Sequence, residues 1–346
     1  MIGDRPVGPD HPPMVIAEMS GNHNQSLDRA FELVDAAAEA GAHALKLQTY
    51  TADTITLRQR GGDFQIKDEG SLWAGQNLHD LYTKAHTPWE WHQPIMERAA
   101  SKGMLCFSSP FDETAVDYLN DLNVPAFKIA SFENNHLPLI QKAASTGKPL
   151  IISTGMASLA DLERAVSAAR EAGCKELILL KCTSTYPATP ENTNLRTISH
   201  LRDLFEVQVG LSDHTMGVGV AVASVALGAT VVEKHFTLRR SDGGVDSTFS
   251  LEPEELKCLV EETERAWLSL GKIAYGITEK EKKSLVFRRS LYVSKDICAG
   301  ELFTEDNIKI VRPGHGLEPF MLEKLLGKAA KKNLSKGNAL TFEDII

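Results

Sequence analysis

Short apolar runs alternate with amphipathic stretches along most of the chain, and eight of the runs recur at the spacing of a βα unit. They cover residues 14–18, 44–48, 104–108, 126–130, 150–153, 177–182, 207–211 and 230–235. Apolar positions at helical spacing predict helices between most of them, over 26–40, 90–101, 113–122, 137–145, 159–172 and 218–226, with a last helix over 253–270. A long insertion separates the second run from the 90–101 helix. Eight such units predict an α/β fold, a closed parallel (β/α)8 TIM barrel. The competing doubly wound sheet lacks its main signal, because no GxGxxG follows the first run.

After Leu270 the rhythm changes. The stretch Glu279-Lys280-Glu281-Lys282-Lys283 reads as a solvated face or a linker. Beyond it lie short strand signals at 291–293 and 309–311, with turns at Gly300 and Gly337. The expected organisation is therefore a barrel over 1–275, a linker over 276–288 and a small β-rich domain over 289–346.

The 346 residues are 42% apolar, enough for a large core. A net charge of −9, from 37 basic and 46 acidic residues, argues against broad nucleic-acid binding but leaves room for a local cationic pocket. No run is long enough to span a membrane, and the N-terminus has no signal-peptide pattern, so a cytoplasmic protein is expected. The five cysteines are scattered without a CxxC pair and read as reduced thiols. Cys106 and Cys182, inside apolar runs, read as core packing.

Polar residues collect where the predicted strands end, which is the catalytic end of such a barrel. Glu18, Lys46, Gln48, Ser109, Lys128, Ser131, Glu133, Ser153, Ser212, Asp213, His214 and His235 all fall there. Lys46 and Lys128 lie within apolar runs, and a lysine pointing into a barrel must meet an anion or a carboxylate. His214 and His235 close the last two runs. Neighbouring parallel strands would bring two neutral imidazoles together as half of a divalent metal site, with positions left for water and substrate. Asp213 is expected to orient His214, and His23 to shape the pocket wall or the start of the first helix.

Eight segments in order carry a resemblance: Ala17-Glu18-Met19-Ser20-Gly21-Asn22-His23, Ala44-Leu45-Lys46-Leu47-Gln48-Thr49, Phe107-Ser108-Ser109-Pro110-Phe111, Phe127-Lys128-Ile129-Ala130-Ser131-Phe132-Glu133, Ser153-Thr154-Gly155-Met156, Lys181-Cys182-Thr183-Ser184-Thr185-Tyr186-Pro187, Gly210-Leu211-Ser212-Asp213-His214 and Glu233-Lys234-His235-Phe236. Together they resemble the sialic acid synthase family, which condenses phosphoenolpyruvate with an amino sugar. The tail, with Arg288-Arg289-Ser290-Leu291-Tyr292 and Val311-Arg312-Pro313-Gly314, resembles the antifreeze-like (SAF) domain that ends these enzymes. Gln48 to Thr54, Thr87 to His92 and Cys106 to Phe111 are most similar to the pseudaminate-forming branch, which uses 2,4-diacetamido-2,4,6-trideoxy-L-altrose. Neuraminate and legionaminate synthesis are the alternatives within the family, and a non-catalytic sugar-binding scaffold is a more remote one.

The resemblance implies a transferase that joins C3 of phosphoenolpyruvate to a sugar aldehyde, with water attacking C2 and phosphate leaving. It implies a divalent metal on His214 and His235, manganese first, with magnesium or cobalt as substitutes. Lys46 and Lys128 would hold the anionic substrate, with Ser109, Ser131, Ser153, Ser184 and Ser212 as hydrogen-bonding partners. Glu18 takes the base or water-orienting role. Glu133 orients either substrate or forms an ion pair with Lys128. Tyr186 and Asp246 are candidate sugar contacts. Ser184 stands where the neuraminate branch has asparagine. Arg312 matches an arginine that reaches the partner's site in a domain-swapped homodimer. Products of this family decorate bacterial flagellins and surface glycans.

Overall fold

The computed structural model describes all 346 residues and divides into two compact units, Met1–Gly271 and Lys272–Ile346. In the first unit eight parallel strands close into a barrel in sequence order: β1 (Met14–Glu18), β2 (Ala44–Thr49), β3 (Leu105–Pro110), β4 (Phe127–Ile129), β5 (Leu150–Ser153), β6 (Leu177–Cys182), β7 (Gln208–Asp213) and β8 (Val231–His235). β8 pairs with β1, matching Glu18 to His235 and closing the ring. The strand centres are almost wholly buried, and Val15, Leu45, Phe107, Phe127, Ile151, Leu179 and Val232 belong to one continuous core.

Helices α1 (Leu27–Glu39), α2 (Ala52–Ile55), α3 (Leu78–Ala85), α4 (His92–Ser101), α5 (Glu113–Asp121), α6 (Leu137–Ser145), α7 (Leu159–Glu171), α8 (Thr197–Phe205), α9 (Gly219–Ala226) and α10 (Pro253–Leu270) complete the unit. Ser26 caps α1 by accepting from the Arg29 amide, and Ser158 forms a capping box with Asp161 at α7. Helix α8 is absent from the sequence expectation. Its buried face, Ile198, Leu201 and Phe205, has helical spacing, but it follows a Pro- and Asn-containing loop and has no side-chain cap. Strands β3 and β7 start one residue later than expected and run two residues further, so Pro110 and Asp213 close them.

Gly210 is required where β7 approaches β8. A Cβ there would lie 2.2 Å from the Val231 carbonyl oxygen and 2.7 Å from a Leu180 methyl. The same closeness sets Ser212 against Glu233 and Asp213 against Lys234 in register. No helix is long and apolar enough to cross a membrane.

The second unit contains β9 (Ser290–Val293) paired antiparallel with β10 (Ile308–Val311), and the short helix α11 (Leu322–Leu325). It has its own core of Leu291, Val293, Ile297, Phe303, Ile308, Leu325, Ala330, Leu334 and Leu340. The turns at Gly300 and Gly337 take positive φ, as glycine permits. The charged stretch near the start of this unit runs into a 3-10 helix, Glu281–Phe287, and not an α-helix.

Candidate active site

Side chains from the strand ends and following loops of the barrel line a cavity of about 470 Å³. Its floor is charged. Lys46 Nζ lies 2.9 Å from Glu18 Oε2 and 3.5 Å from Glu233 Oε1, and Lys128 Nζ is 3.1 Å from the same Glu233 oxygen. Ser212 also donates to that oxygen at 3.1 Å, Lys46 donates to Ser109 at 3.3 Å, and Gln48 donates to Glu18 at 2.8 Å. Two lysines and two carboxylates thus neutralise one another out of contact with bulk water, as isolated buried charges could not.

Glu233 is a residue the sequence reading missed, although the signal was present. It interrupts the apolar run Val231-Val232-Glu233 in the way that singled out Lys46 and Lys128. It also corrects the expected partner of Lys128, which is Glu233 and not Glu133. Burial works against the Glu233 carboxylate, yet Lys128 and Lys46 outweigh it and hold its pKa at about 2. Burial pushes Glu18 up, with Lys46 opposing, and pulls Lys128 down. Glu133 makes no ion pair, and burial raises its pKa to about 7 against the weaker pull of Lys128 and Lys46.

The two histidines meet as the strand order implied, with ring centroids 5.3 Å apart. His214 Nδ1 bonds to the Thr183 carbonyl at 2.9 Å, which leaves Nε2 free. Asp213 does not orient it, contrary to expectation. Successive strand residues face opposite sides, so Asp213 turns away from the cavity, binds Lys234 at 2.9 Å and accepts from the Thr215 amide. Burial lowers the His214 pKa, while Cys182, 3.9 Å away, and the Thr183 carbonyl raise it above the ordinary value. Burial, then the neighbouring His214, hold His235 well below.

The donor set fits a divalent cation. His235 Nδ1 is a buried nitrogen without a hydrogen-bond partner, 3.8 Å from Asp246 Oδ2, and a second imidazole with a free nitrogen stands beside it. No group of three or more His, Cys, Asp or Glu is assembled there, so two imidazoles leave the other positions to water and substrate. Asp246 also accepts from Ser20 and is pushed up by burial.

The remaining candidates divide by place. Ser131, Tyr186, Ser212, Asp246, Glu133 and Cys182 line the cavity. Cys182 is therefore part of the site wall as well as packed, whereas Cys106 is a core thiol pushed up to about 12 by burial. Tyr186 lies 4.4 Å from the His214 ring and 5.4 Å from Phe249. Ser109 reaches the site through Lys46. Ser153 and Ser184 sit behind the lining, and Ser153 Oγ is buried without a partner. Gly155 donates its amide to Ser131 Oγ at 3.1 Å, and a Cβ on Gly155 would fall 2.1 Å from Ser184 Oγ and 2.6 Å from Ser131 Oγ. The two hydroxyls fill the space beside Gly155, and any side chain at residue 155 would displace them. His23 is a wall residue, bonded to Thr87 and the Gln25 amide and lowered to about 4 by burial. Arg312, in the second unit, is exposed after β10.

The closed barrel, with its charged strand ends beside a histidine pair, and the small β domain that follows it each match a known family. Residues 33–275 match the NeuB family and 288–346 the SAF domain. The chain belongs to the NeuB family. It is 46% identical to the pseudaminic acid synthase of Campylobacter jejuni over 330 residues, covering 95% of this chain and 96% of that protein. The pseudaminic acid synthase of Helicobacter pylori is 43% identical, over 96% of this chain and 98% of its own length. Among solved structures, the N-acetylneuraminic acid synthetase of Leptospira borgpetersenii, in complex with citrate, superposes with a TM-score of 0.72. It is 32% identical and covers 82% of this chain and 94% of that one.

Proposed function

We propose that this chain is a transferase that condenses phosphoenolpyruvate with 2,4-diacetamido-2,4,6-trideoxy-L-altrose to give pseudaminic acid and phosphate, in the cytoplasm. The observation that carries the reading is the convergence of Lys46, Lys128 and the His214–His235 pair on one cavity, in a chain so close to two synthases of that name.

In this reading C3 of phosphoenolpyruvate forms a bond to the aldehyde carbon of the open sugar, and the aldehyde oxygen takes a proton. Water adds to C2 with loss of a proton, and the C2–O bond to phosphate breaks. Lys46 and Lys128 bind the carboxylate and phosphate. Ser109, Ser131, Ser153, Ser184 and Ser212 supply hydroxyl donors that fix them. Preorganised donors of this kind are each worth about 3 kcal/mol at the transition state. Glu18 orients the water and takes its proton, and Glu133, Tyr186 and Asp246 contact the sugar. A divalent metal held by His214 and His235, manganese in the first instance, would supply Lewis-acid polarisation of the aldehyde oxygen.

Phosphate release from phosphoenolpyruvate with manganese tests this, offering the trideoxy-altrose, N-acetylmannosamine and the diacetamido-trideoxy-mannose in parallel. Turnover with the altrose alone, abolished by a chelator and restored by metal, is the expected result. Turnover with another sugar moves the specificity, and silence with all three from folded, metal-loaded protein sinks the catalytic reading. Gly155→Ala should raise KM for phosphoenolpyruvate at least about tenfold, because the methyl displaces the Ser131 and Ser184 hydroxyls. An unchanged KM removes that role.

Glu133→Gln gives a pH signature. A folded pKa of about 7 against 4.5 means its contribution to stability is present below pH 4.5 and lost as pH rises through 7. The Tm difference between wild type and E133Q should shift in favour of E133Q across that window. A pH-independent difference would show that Glu133 does not titrate there.

We also propose that Arg312 serves the partner's sugar site in a domain-swapped homodimer. Co-expressed R312A and H235A chains should then recover activity that neither has alone, since one composite site in the mixed dimer is intact. No recovery means the arginine acts within its own chain.

A further inference from the structure

The cavity has two unlike halves. Beside the charged floor stands a mainly apolar wall supplied by the segment between β2 and α4, where Ile55, Ile66, Trp73, Leu78 and Leu81 line the space together with Tyr50, Ser71 and Tyr82. The wall is tied in place. Trp73 Nε1 donates to the Val245 carbonyl at 3.1 Å, and Val245 and Asp246 are themselves cavity residues in the loop after β8. The Trp73 ring lies 5.9 Å from that of Tyr186, which packs on His214. The apolar wall therefore runs up to the aromatic ring beside the histidine pair.

We infer that the Ile66–Trp73 wall is the element that selects a 6-deoxy sugar over its 6-hydroxy counterpart. The inference rests on the function proposed above. A trideoxy sugar has a methyl at C6, and a methyl gains by leaving water for an apolar surface. A hydroxymethyl group in the same place sets its hydroxyl against isoleucine, leucine and the indole ring, which costs free energy wherever the Tyr50, Ser71 and Tyr82 hydroxyls of the same segment do not reach it. A hydrophobic pocket rejects such an added hydroxyl by roughly 10²-fold, so a modest and measurable preference is expected, not an absolute one.

The experiment measures kcat/KM with 2,4-diacetamido-2,4,6-trideoxy-L-altrose and with 2,4-diacetamido-2,4-dideoxy-L-altrose, for wild type, Trp73→Phe, Trp73→Gln and Ile66→Asn. Wild type should prefer the deoxy sugar by about 10²-fold. W73F keeps an apolar ring without the bond to Val245 and should keep the preference. W73Q and I66N put an amide on the wall and should each reduce it to about tenfold or less. Should W73Q fail to fold, I66N carries the test alone. An I66N preference equal to wild type overturns the inference. So does a wild-type enzyme that turns over both sugars equally, while leaving the proposed reaction standing. No turnover of either sugar by wild type overturns the function on which the inference rests.

Discussion

Replacing Lys234 by methionine should lower the stability of the free protein by about 3–5 kcal/mol, the usual consequence of removing one partner of a buried ion pair. Lys234 is 1% exposed. Its ammonium donates to Asp213 at 2.9 Å, to the Gly217 carbonyl at 2.9 Å and to the Thr215 carbonyl, which uses all three of its hydrogens. Methionine fills similar space but leaves Asp213 a buried anion and two carbonyls short of a donor. At a few degrees per kcal/mol, Tm should drop by roughly 10 °C. The double variant D213L/K234M should recover part of the loss, because an uncharged pair removes the stranded anion. The same change should reach the site. His214 lies between Asp213 and Thr215, and His235 follows Lys234, so this clamp on the outer face of β7 and β8 sets the 5.3 Å ring separation. Calorimetric titration with manganese should show affinity down by about 10- to 100-fold in K234M, the range for groups that orient metal-binding residues. An unchanged Tm, or unchanged metal affinity with a lowered Tm, would show that the clamp does not set the histidines.

The barrel was legible because its strands are continuous apolar runs and its helices carry a 3.6 period, two signals that survive without tertiary information. Strand ends were less so. The pairing of Asp213 with Lys234 extends β7 past its apolar stretch to a charged residue that only its cross-strand partner makes acceptable. Helix α8 went unread for a related reason, since its packing face and not its propensity or capping holds it. In the site, residue types placed Lys46, Lys128, His214 and His235 correctly at one end. They did not reveal which carboxylate meets which lysine, because strand alternation fixes facing but not distance. Glu133 and Glu233 are equally acidic in sequence, and only the closure of β8 onto β1 brings Glu233 between the lysines.

Glu233→Gln should separate the stability of the site from its chemistry. In wild type the carboxylate, with a pKa near 2 against 4.5 unfolded, contributes stability that is present above pH 4.5 and lost as pH falls toward 2. Glutamine cannot ionise, so E233Q should be less stable than wild type at neutral pH and should lose this acid dependence. Lys46 and Lys128 are then left facing Glu18 alone, and Lys128, already lowered by burial, has lost its nearest anion. A phosphorylated carboxylic acid brings the missing negative charge with it. Phosphoenolpyruvate should therefore raise the Tm of E233Q by more than it raises that of wild type. Turnover should move the other way. Glu233 Oε1 gathers Lys46, Lys128 and Ser212 on one oxygen, and loosening three groups that must hold one substrate costs about 10² in kcat, since small misplacements in a positioned site carry that penalty. KM for phosphoenolpyruvate should stay level or fall while kcat drops. A rise in KM with kcat intact would mean instead that Glu233 helps to bind substrate without organising the lysines. Equal Tm shifts in the two proteins would mean the lysines do not depend on it for their charge.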